Sequence, residues 1–297
     1  MPRPNEKLPF PFPFQSKYIQ INNHAMHYID EGKGSLVLCI HGNPTWSFYF
    51  RNVINSLSPN FRVLAPDHMG MGLSAKPQAD PYPHTLMQRV MDMEAFLDAV
   101  APKEPFHLIV HDWGGMIGTL LALRQPERIL SVVITNTAGF LKPAHKKLPL
   151  RIRLARDILP VAAPAILGLN LFSRGALFFC AKKRLSPAIR KGYLFPYGSP
   201  AKRKAQLAFV RDIPLGPDDP AYDAVNWAEN NLHRLKDIPK CILWGEKDFV
   251  FDTDYRDLWK KHFPDTPCHS FPEAGHYLFE DETKACMEII QRFLKSG

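Results

Sequence analysis

Phe106-His107-Leu108-Ile109-Val110-His111-Asp112-Trp113-Gly114-Gly115-Met116-Ile117-Gly118 is the stretch whose reading decides the fold. Its first five residues form an apolar run of strand length, and Met116 to Leu123 is amphipathic with helical character. The small pair Gly114-Gly115 permits a sharp turn between them. Strand, tight turn and helix make the context of a nucleophile elbow. Serine is the usual central residue of such an elbow, and here it is Asp112. A carboxylate can displace a leaving group from an alkyl carbon as well as attack an acyl carbon, so this one letter changes the reaction class. The competing structural reading is an aspartate capping the following helix. A G-x-S-x-G motif occurs nowhere; Gly70-Met71-Gly72-Leu73-Ser74 comes nearest, with its serine misplaced and in a loop.

Outward from the elbow, short apolar runs alternate with helical patterns. Residues 10–30 read as a hairpin, with Tyr18 to Ile21 and Met26 to Ile29 joined at Asn22-Asn23. Leu36 to Ile40 ends at His41-Gly42-Asn43-Pro44, and Phe61 to Ala65 ends at Pro66-Asp67. Leu130 to Thr135 and Cys241 to Trp244 follow the elbow strand. The expectation is an α/β protein with a mostly parallel central sheet and helices on both faces. Between Gly139 and Pro217 the alternation stops. Helical segments (Leu150 to Leu159, Ala176 to Leu185, Ser199 to Asp212) are interrupted by prolines, and the stretch is basic and aromatic. Residues 139–217 are therefore expected to form a helical cap inserted into a core of residues 1–138 and 218–297.

The chain has 297 residues, 45% of them hydrophobic, enough for one large domain with an insertion. No apolar run approaches the roughly 18 residues of a membrane span. Met1 to Lys7 has no apolar segment behind it, so no secretory signal is expected. Five cysteines without metal-like spacing suggest reduced thiols in a cytoplasm, with Cys39 and Cys241 in buried strands. The net charge of +8 is concentrated between Lys142 and Lys204. A solvated helical surface explains that basic stretch most simply, and attraction to an anionic membrane or an acidic partner is the alternative. Nucleic-acid binding is not expected, because no recognised module accompanies the charge. Phe10, Phe12 and Phe14, alternating with prolines, either pack on the core or touch a membrane.

Two further residues complete a catalytic set with Asp112. His276, in Ala274-Gly275-His276-Tyr277, lies near the C-terminus, and the chain order nucleophile, acid, histidine is that of α/β-hydrolases. Asp248, in Trp244-Gly245-Glu246-Lys247-Asp248, follows a strand and would orient the imidazole. Asp252 and Glu246 compete for that role, and Asn136, in the other usual slot, cannot carry the charge. Asn43 and Trp113 offer uncharged side-chain donors to a substrate anion whose charge grows in the transition state. His41 is read as structural.

Together these residues resemble the aspartate-nucleophile branch of the α/β-hydrolase superfamily over nearly the whole chain. His41-Gly42-Asn43-Pro44 with His111-Asp112-Trp113-Gly114-Gly115 looks like the haloalkane dehalogenases. Epoxide hydrolases share the second string but usually carry an aromatic residue at the place of Asn43 and need cap tyrosines, for which Tyr193, Tyr197 and Tyr222 are candidates. Longer strings, His41 to Asn52, His111 to Gly118, Phe209-Val210-Arg211-Asp212-Ile213-Pro214-Leu215 and Trp244 to Asp252, are together similar to the β-lactone decarboxylases of bacterial long-chain olefin biosynthesis. That resemblance implies a cis-3,4-dialkyl-oxetan-2-one substrate giving a cis-alkene and CO2, with attack either at the ring carbon bearing oxygen or at the carbonyl. It implies no cofactor and no metal. A small hydrophobic substrate in a deep apolar pocket, peripheral membrane contact and assembly with other olefin-pathway enzymes are its further implications; Phe172, Phe178, Phe179 and Phe209 are candidates for that pocket's lining, with core packing the commoner fate of such residues. A haloalkane dehalogenase, an epoxide hydrolase and a non-catalytic scaffold relative are the other readings.

Overall fold

The computed structural model describes residues 8–77 and 82–295; Met1 to Lys7, considered above for an export signal, lie outside them. Eight strands form one sheet in the order β1-β2-β4-β3-β5-β6-β7-β8. They are β1 (Lys17–Ile21), β2 (His24–Glu31), β3 (Leu36–Ile40), β4 (Arg62–Pro66), β5 (Phe106–Asp112), β6 (Ile129–Thr137), β7 (Lys240–Gly245) and β8 (Cys268–Phe271). β1 and β2 are antiparallel to their neighbours; every pairing from β4 to β8 is parallel. Every residue of β3, β5 and β7 is buried, which explains their unbroken apolar runs: a strand covered on both faces has no solvent side to alternate with. The helix Trp113–Arg124 packs against both Leu86–Val100 and Tyr222–Asn231, and Arg51–Leu57 packs with Thr283–Lys295.

The N-terminal hairpin starts later than expected, at Lys17, and its turn has Asn22 and Asn23 both at positive φ, 49° and 64°. Two consecutive left-handed residues match the right-handed twist of the strands, and asparagine tolerates that conformation. Phe10 and Phe12 are buried against Trp46 and Phe48, which settles their role as core residues. Cys39 and Cys241 are buried in β3 and β7, and none of the five cysteines is in a disulfide.

Between Thr137 and Lys240 the chain contains helices and no strand among the described residues. Its elements differ in detail from the expected ones. The first helix, Leu150–Asp157, is followed by Leu159–Ala163 and the π-helical turn Pro164–Gly168, and a further helix spans Leu171–Phe179 where Ala176 to Leu185 was expected. A helix at Pro187–Leu194 was read as interrupted chain. Its proline occupies the first turn, and Ser186 caps it by accepting a hydrogen bond from the Ile189 N–H. A first-turn proline has no helical N–H to lose, so it starts a helix where an interior one would break it. Pro200 likewise opens the 3-10 turn Pro200–Arg203, which leads into Lys204–Arg211.

Candidate active site

Every candidate residue stands just beyond the carboxyl end of a parallel strand, where open α/β sheets hold their ligands. Asp112 ends β5 with φ 53° and ψ −130°, a conformation that costs of order 1–3 kcal/mol and is kept where surrounding structure enforces it. The glycines explain how the turn closes. A Cβ on Gly114 would lie 2.0 Å from the Ile40 carbonyl oxygen, and one on Gly115 1.8 Å from Thr137 Oγ1. Thr137 Oγ1 in turn donates to the Asp112 carbonyl, fixing the elbow from β6.

The structure brings Asp112, His276 and Asp248 together. His276 Nε2 lies 3.3 Å from Asp112 Oδ2, and His276 Nδ1 lies 2.7 Å from Asp248 Oδ2. All three side chains are buried. Burial by itself would drive the proton off His276, but Asp248 and Asp112 on either side outweigh it and push its pKa up to about 10. Burial also disfavours the charged Asp112, yet the hydrogen bond and charge of His276, with further help from the Asn43 N–H, hold its carboxyl below the usual carboxylate range. Both shifts favour a charged His276 beside an ionised Asp112. His276 is fixed through its main chain as well: the neutral ring of His111, its pKa lowered to about 3 chiefly by burial, donates from Nε2 to the His276 carbonyl at 2.8 Å. Asp281 accepts from the Gly275 N–H at 2.8 Å and from the Lys182 and Lys183 N–H groups, tying the histidine loop to the helical insertion.

Asp252 and Glu246 are committed elsewhere. Asp252 caps the helix Thr253–His262 and pairs with Lys146, and Glu246 takes Arg256 at 2.6 Å. Asn136, set aside because it lacks charge, proves to matter. Between β5 and β6 the register slips, so that His111 pairs with Thr135 and Asp112 with Thr137. Asn136 is the extra residue of this bulge, with φ 35°. Its Nδ2 donates to Asp248 Oδ2 and to the Gly245 carbonyl, both at 3.0 Å, and its Oδ1 accepts the Gly245 N–H at 2.8 Å. With the Val250 N–H on Asp248 Oδ1 at 2.7 Å, it locks the Asp248 loop. An asparagine at a strand end, tolerant of positive φ, is the sequence signal that was available.

The loop that carries Asn43 lies across from the elbow and offers a backbone N–H, but it gives that N–H to Asp112 itself and turns the Asn43 side chain to another partner. The Asn43 backbone N–H donates to Asp112 Oδ1 at 2.7 Å, while Nδ2 donates to the Gln206 carbonyl at 3.1 Å. Trp113 Nε1 has no hydrogen-bond partner among the described residues, and its ring lies at the cavity beside Asp112. His41 is structural: Nδ1 donates to the Gly42 carbonyl, Nε2 accepts the His68 N–H, and burial keeps it neutral. Ser74, the decoy serine, is tied to Asp67 and His27.

Asp112 and His276 form part of the wall of a cavity of about 450 Å³, otherwise almost wholly apolar, between the sheet and the helical insertion. Phe172 and Phe179 line it as expected; Phe178 and Phe209 do not. Phe178 faces outward, and Phe209 is buried under the Arg89 guanidinium, 3.6 Å from its ring centre, and against Trp113. Tyr193, Tyr197 and Tyr222 are all absent from the cavity wall. Tyr193 donates to Glu280, and Tyr197 donates to the Thr45 carbonyl at 3.3 Å. The three tyrosines considered for an epoxide hydrolase are thus off the cavity wall, where Tyr255 stands instead.

Sheet order, elbow and acid–base chain define an α/β-hydrolase with an aspartate at the nucleophile position. The chain belongs to the α/β-hydrolase fold family, whose pattern matches residues 35–283, in the branch shared by β-lactone decarboxylases and haloalkane dehalogenases. It is 41% identical to the cis-3-alkyl-4-alkyloxetan-2-one decarboxylase of Shewanella oneidensis, over 95% of this chain and 89% of that protein. The decarboxylase of the same name from Xanthomonas campestris is 36% identical, over 91% and 92% of the two chains. A haloalkane dehalogenase of Mycobacterium marinum is 31% identical, over 94% and 93%. Among solved structures, a haloalkane dehalogenase of Bradyrhizobium elkani superposes with a TM-score of 0.84 at 22% identity, covering 96% of this chain and all of that one.

Proposed function

We propose that the protein is a β-lactone decarboxylase that converts a cis-3,4-dialkyl-oxetan-2-one to a cis-alkene and CO2. The observation that carries this reading is the 41% identity to a decarboxylase of that substrate class, against 31% to a dehalogenase over a similar span. In the proposed mechanism Asp112 is the nucleophile, His276 its charged partner and Asp248 the acid that orients the imidazolium. An Asp112 carboxylate oxygen attacks the ring carbon bearing the lactone oxygen, that C–O bond breaks, and the released carboxylate takes its electrons. In this reading the Trp113 N–H and the remaining Asn43 amide proton receive that carboxylate, while the Asn43 backbone N–H holds Asp112 Oδ1. The carboxylate then leaves as CO2. The electrons of its C–C bond form the alkene, and the alkyl–Asp112 bond breaks, restoring the aspartate. Inversion followed by anti elimination takes a cis lactone to a cis alkene. The His276 imidazolium stabilises the charge returning to Asp112. No water enters, in keeping with an apolar cavity suited to two alkyl chains.

In this reading residues 139–217 act as a cap over a core of 1–138 and 218–297, and the enzyme works in the cytoplasm beside other enzymes of an olefin route. The test is to incubate purified protein with a cis-β-lactone and, separately, with a 1-haloalkane. Alkene and CO2 from the first, lost in Asp112→Ala, are expected; halide release without alkene overturns the reading in favour of a dehalogenase.

A further inference from the structure

We infer that the outer face of the helical insertion is a docking surface for an anionic lipid bilayer, bringing the cavity mouth against the membrane. The inference rests on the decarboxylase reading only for its purpose, since a long-chain lactone partitions into lipid.

Seven of the exposed large hydrophobic residues fall on two neighbouring segments of the insertion. Leu150, Leu154 and Ile158 lie on and just after the helix Leu150–Asp157; Leu169, Leu171, Phe178 and Phe179 lie on and before the helix Leu171–Phe179. Leu150, Phe178 and Leu169 are 69%, 68% and 64% exposed, far beyond what a soluble surface needs from side chains of that size. Three of the seven, Leu154, Leu171 and Phe179, also line the cavity, so the apolar surface is continuous with the site's entrance.

Cations share these faces. Leu171, Arg174 and Phe178 follow one another at helical spacings of three and four, and Arg153 and Leu154 stand three and four residues from Leu150 along the other helix. Between Lys142 and Asp212 the chain has 16 Lys or Arg and 2 Asp or Glu, which leaves 21 against 27 in the rest. The insertion is thus strongly positive on a body that is net negative. Lys147, Arg174, Lys191 and Lys204 are exposed with no carboxylate at ion-pair distance among the described residues. Apolar side chains interleaved with unpaired cations suit the interface of a bilayer bearing acidic headgroups, where burial and charge attraction act together. An acidic protein would match the charge but leaves the exposed leucines and phenylalanines without a reason to ring a lipophilic cavity.

The experiment is co-sedimentation with phosphatidylcholine vesicles, with and without phosphatidylglycerol, at low and high salt. Binding is expected to need the anionic lipid and to weaken with salt. Two double variants probe the two contributions: Leu150→Ser with Phe178→Ser, neither of which lines the cavity, and Lys147→Glu with Arg174→Glu. Each is expected to weaken vesicle partitioning by about tenfold or more, while turnover of a short-chain, water-soluble β-lactone stays unchanged, which shows that the variants fold. Absence of pelleting, or equal pelleting with neutral vesicles, overturns the inference. So does a wild-type oligomer that ignores lipid and that the variants return to monomers, because the face then joins copies of the chain. Pelleting without lactone decarboxylation leaves docking standing and removes the decarboxylase reading; decarboxylation without pelleting does the reverse.

Discussion

Asp112 and His276 hold opposite charges at 3.3 Å in a buried site, and that has a measurable consequence for stability. His276 has a folded pKa raised to about 10 from its ordinary 6.5, so its contribution is complete below pH 6.5 and is lost as pH rises through about 10. Asp112 has a lowered folded pKa, so its contribution is present above the usual carboxylate range and is lost as pH falls through the folded value. Unfolding measured by urea at a series of pH values should show wild-type stability declining between pH 6.5 and 10 more steeply than that of His276→Gln; parallel curves would refute the charge assignment. Asn136 offers a second test. Asn136→Ala removes a donor to a buried carboxylate, and such a bond to a charged group is worth about tenfold to a hundredfold. The expected result is a kcat reduced by that factor with KM nearly unchanged, because Asn136 acts through Asp248 and does not line the cavity. Asp112 and Asp248 were legible in the sequence because each stands at or just past a buried apolar strand, and His276 because its Gly-His loop near the C-terminus completes the chain order nucleophile, acid, histidine. Asn136 was not, because its role depends on a bulge, and a register slip leaves no mark in hydrophobic periodicity.

The elbow and the parallel strands were the most readable elements, since a fully buried strand gives an unbroken apolar run. β8 was invisible for the opposite reason: Cys268-His269-Ser270-Phe271 is half-exposed at the sheet edge and carries no such run. The insertion was legible as helical but not in its boundaries, because Pro187 starts a helix where it was taken to interrupt one. At the elbow the requirement for small residues is steric and testable. A methyl on Gly115 would meet Thr137, a side chain that can rotate, but one on Gly114 would meet the Ile40 carbonyl of β3, which cannot move without shifting the sheet. Gly114→Ala is expected to destabilise by about 3 kcal/mol and to lower activity through a displaced Asp112. Denaturation showing wild-type stability for Gly114→Ala would mean that the turn is less tightly packed against β3 than the structure has it.

Across the whole molecule, sheet and insertion share one interior. The main core includes Phe48, Trp46 and Trp113 from the body together with Leu177, Tyr193 and Phe209 from the insertion; a second cluster of Ala162, Ile166 and Leu207 is small. Across this junction Arg89, on the helix Leu86–Val100, pairs at 2.7 Å with Asp212, which ends the helix Lys204–Arg211. Both side chains are almost fully buried, and burial moves each pKa against its partner's attraction, Asp212 up and Arg89 down. A pair of this kind owes little to net attraction, because desolvation offsets most of it, but removing one member strands the other. Asp212→Ala should therefore cost about 3–5 kcal/mol and expose Arg89 beneath Phe209 and Trp113, whereas Arg89→Met with Asp212→Leu should restore most of that loss. If the junction binds the two parts as one unit, calorimetry of the wild type gives a single transition, and Asp212→Ala lowers it without splitting it. A separate low-temperature transition in the wild type would show that the insertion folds on its own contacts, contrary to the small size of the Ala162 cluster; an Asp212→Ala protein as stable as the wild type would show that Arg89 finds water or another partner when its carboxylate is removed.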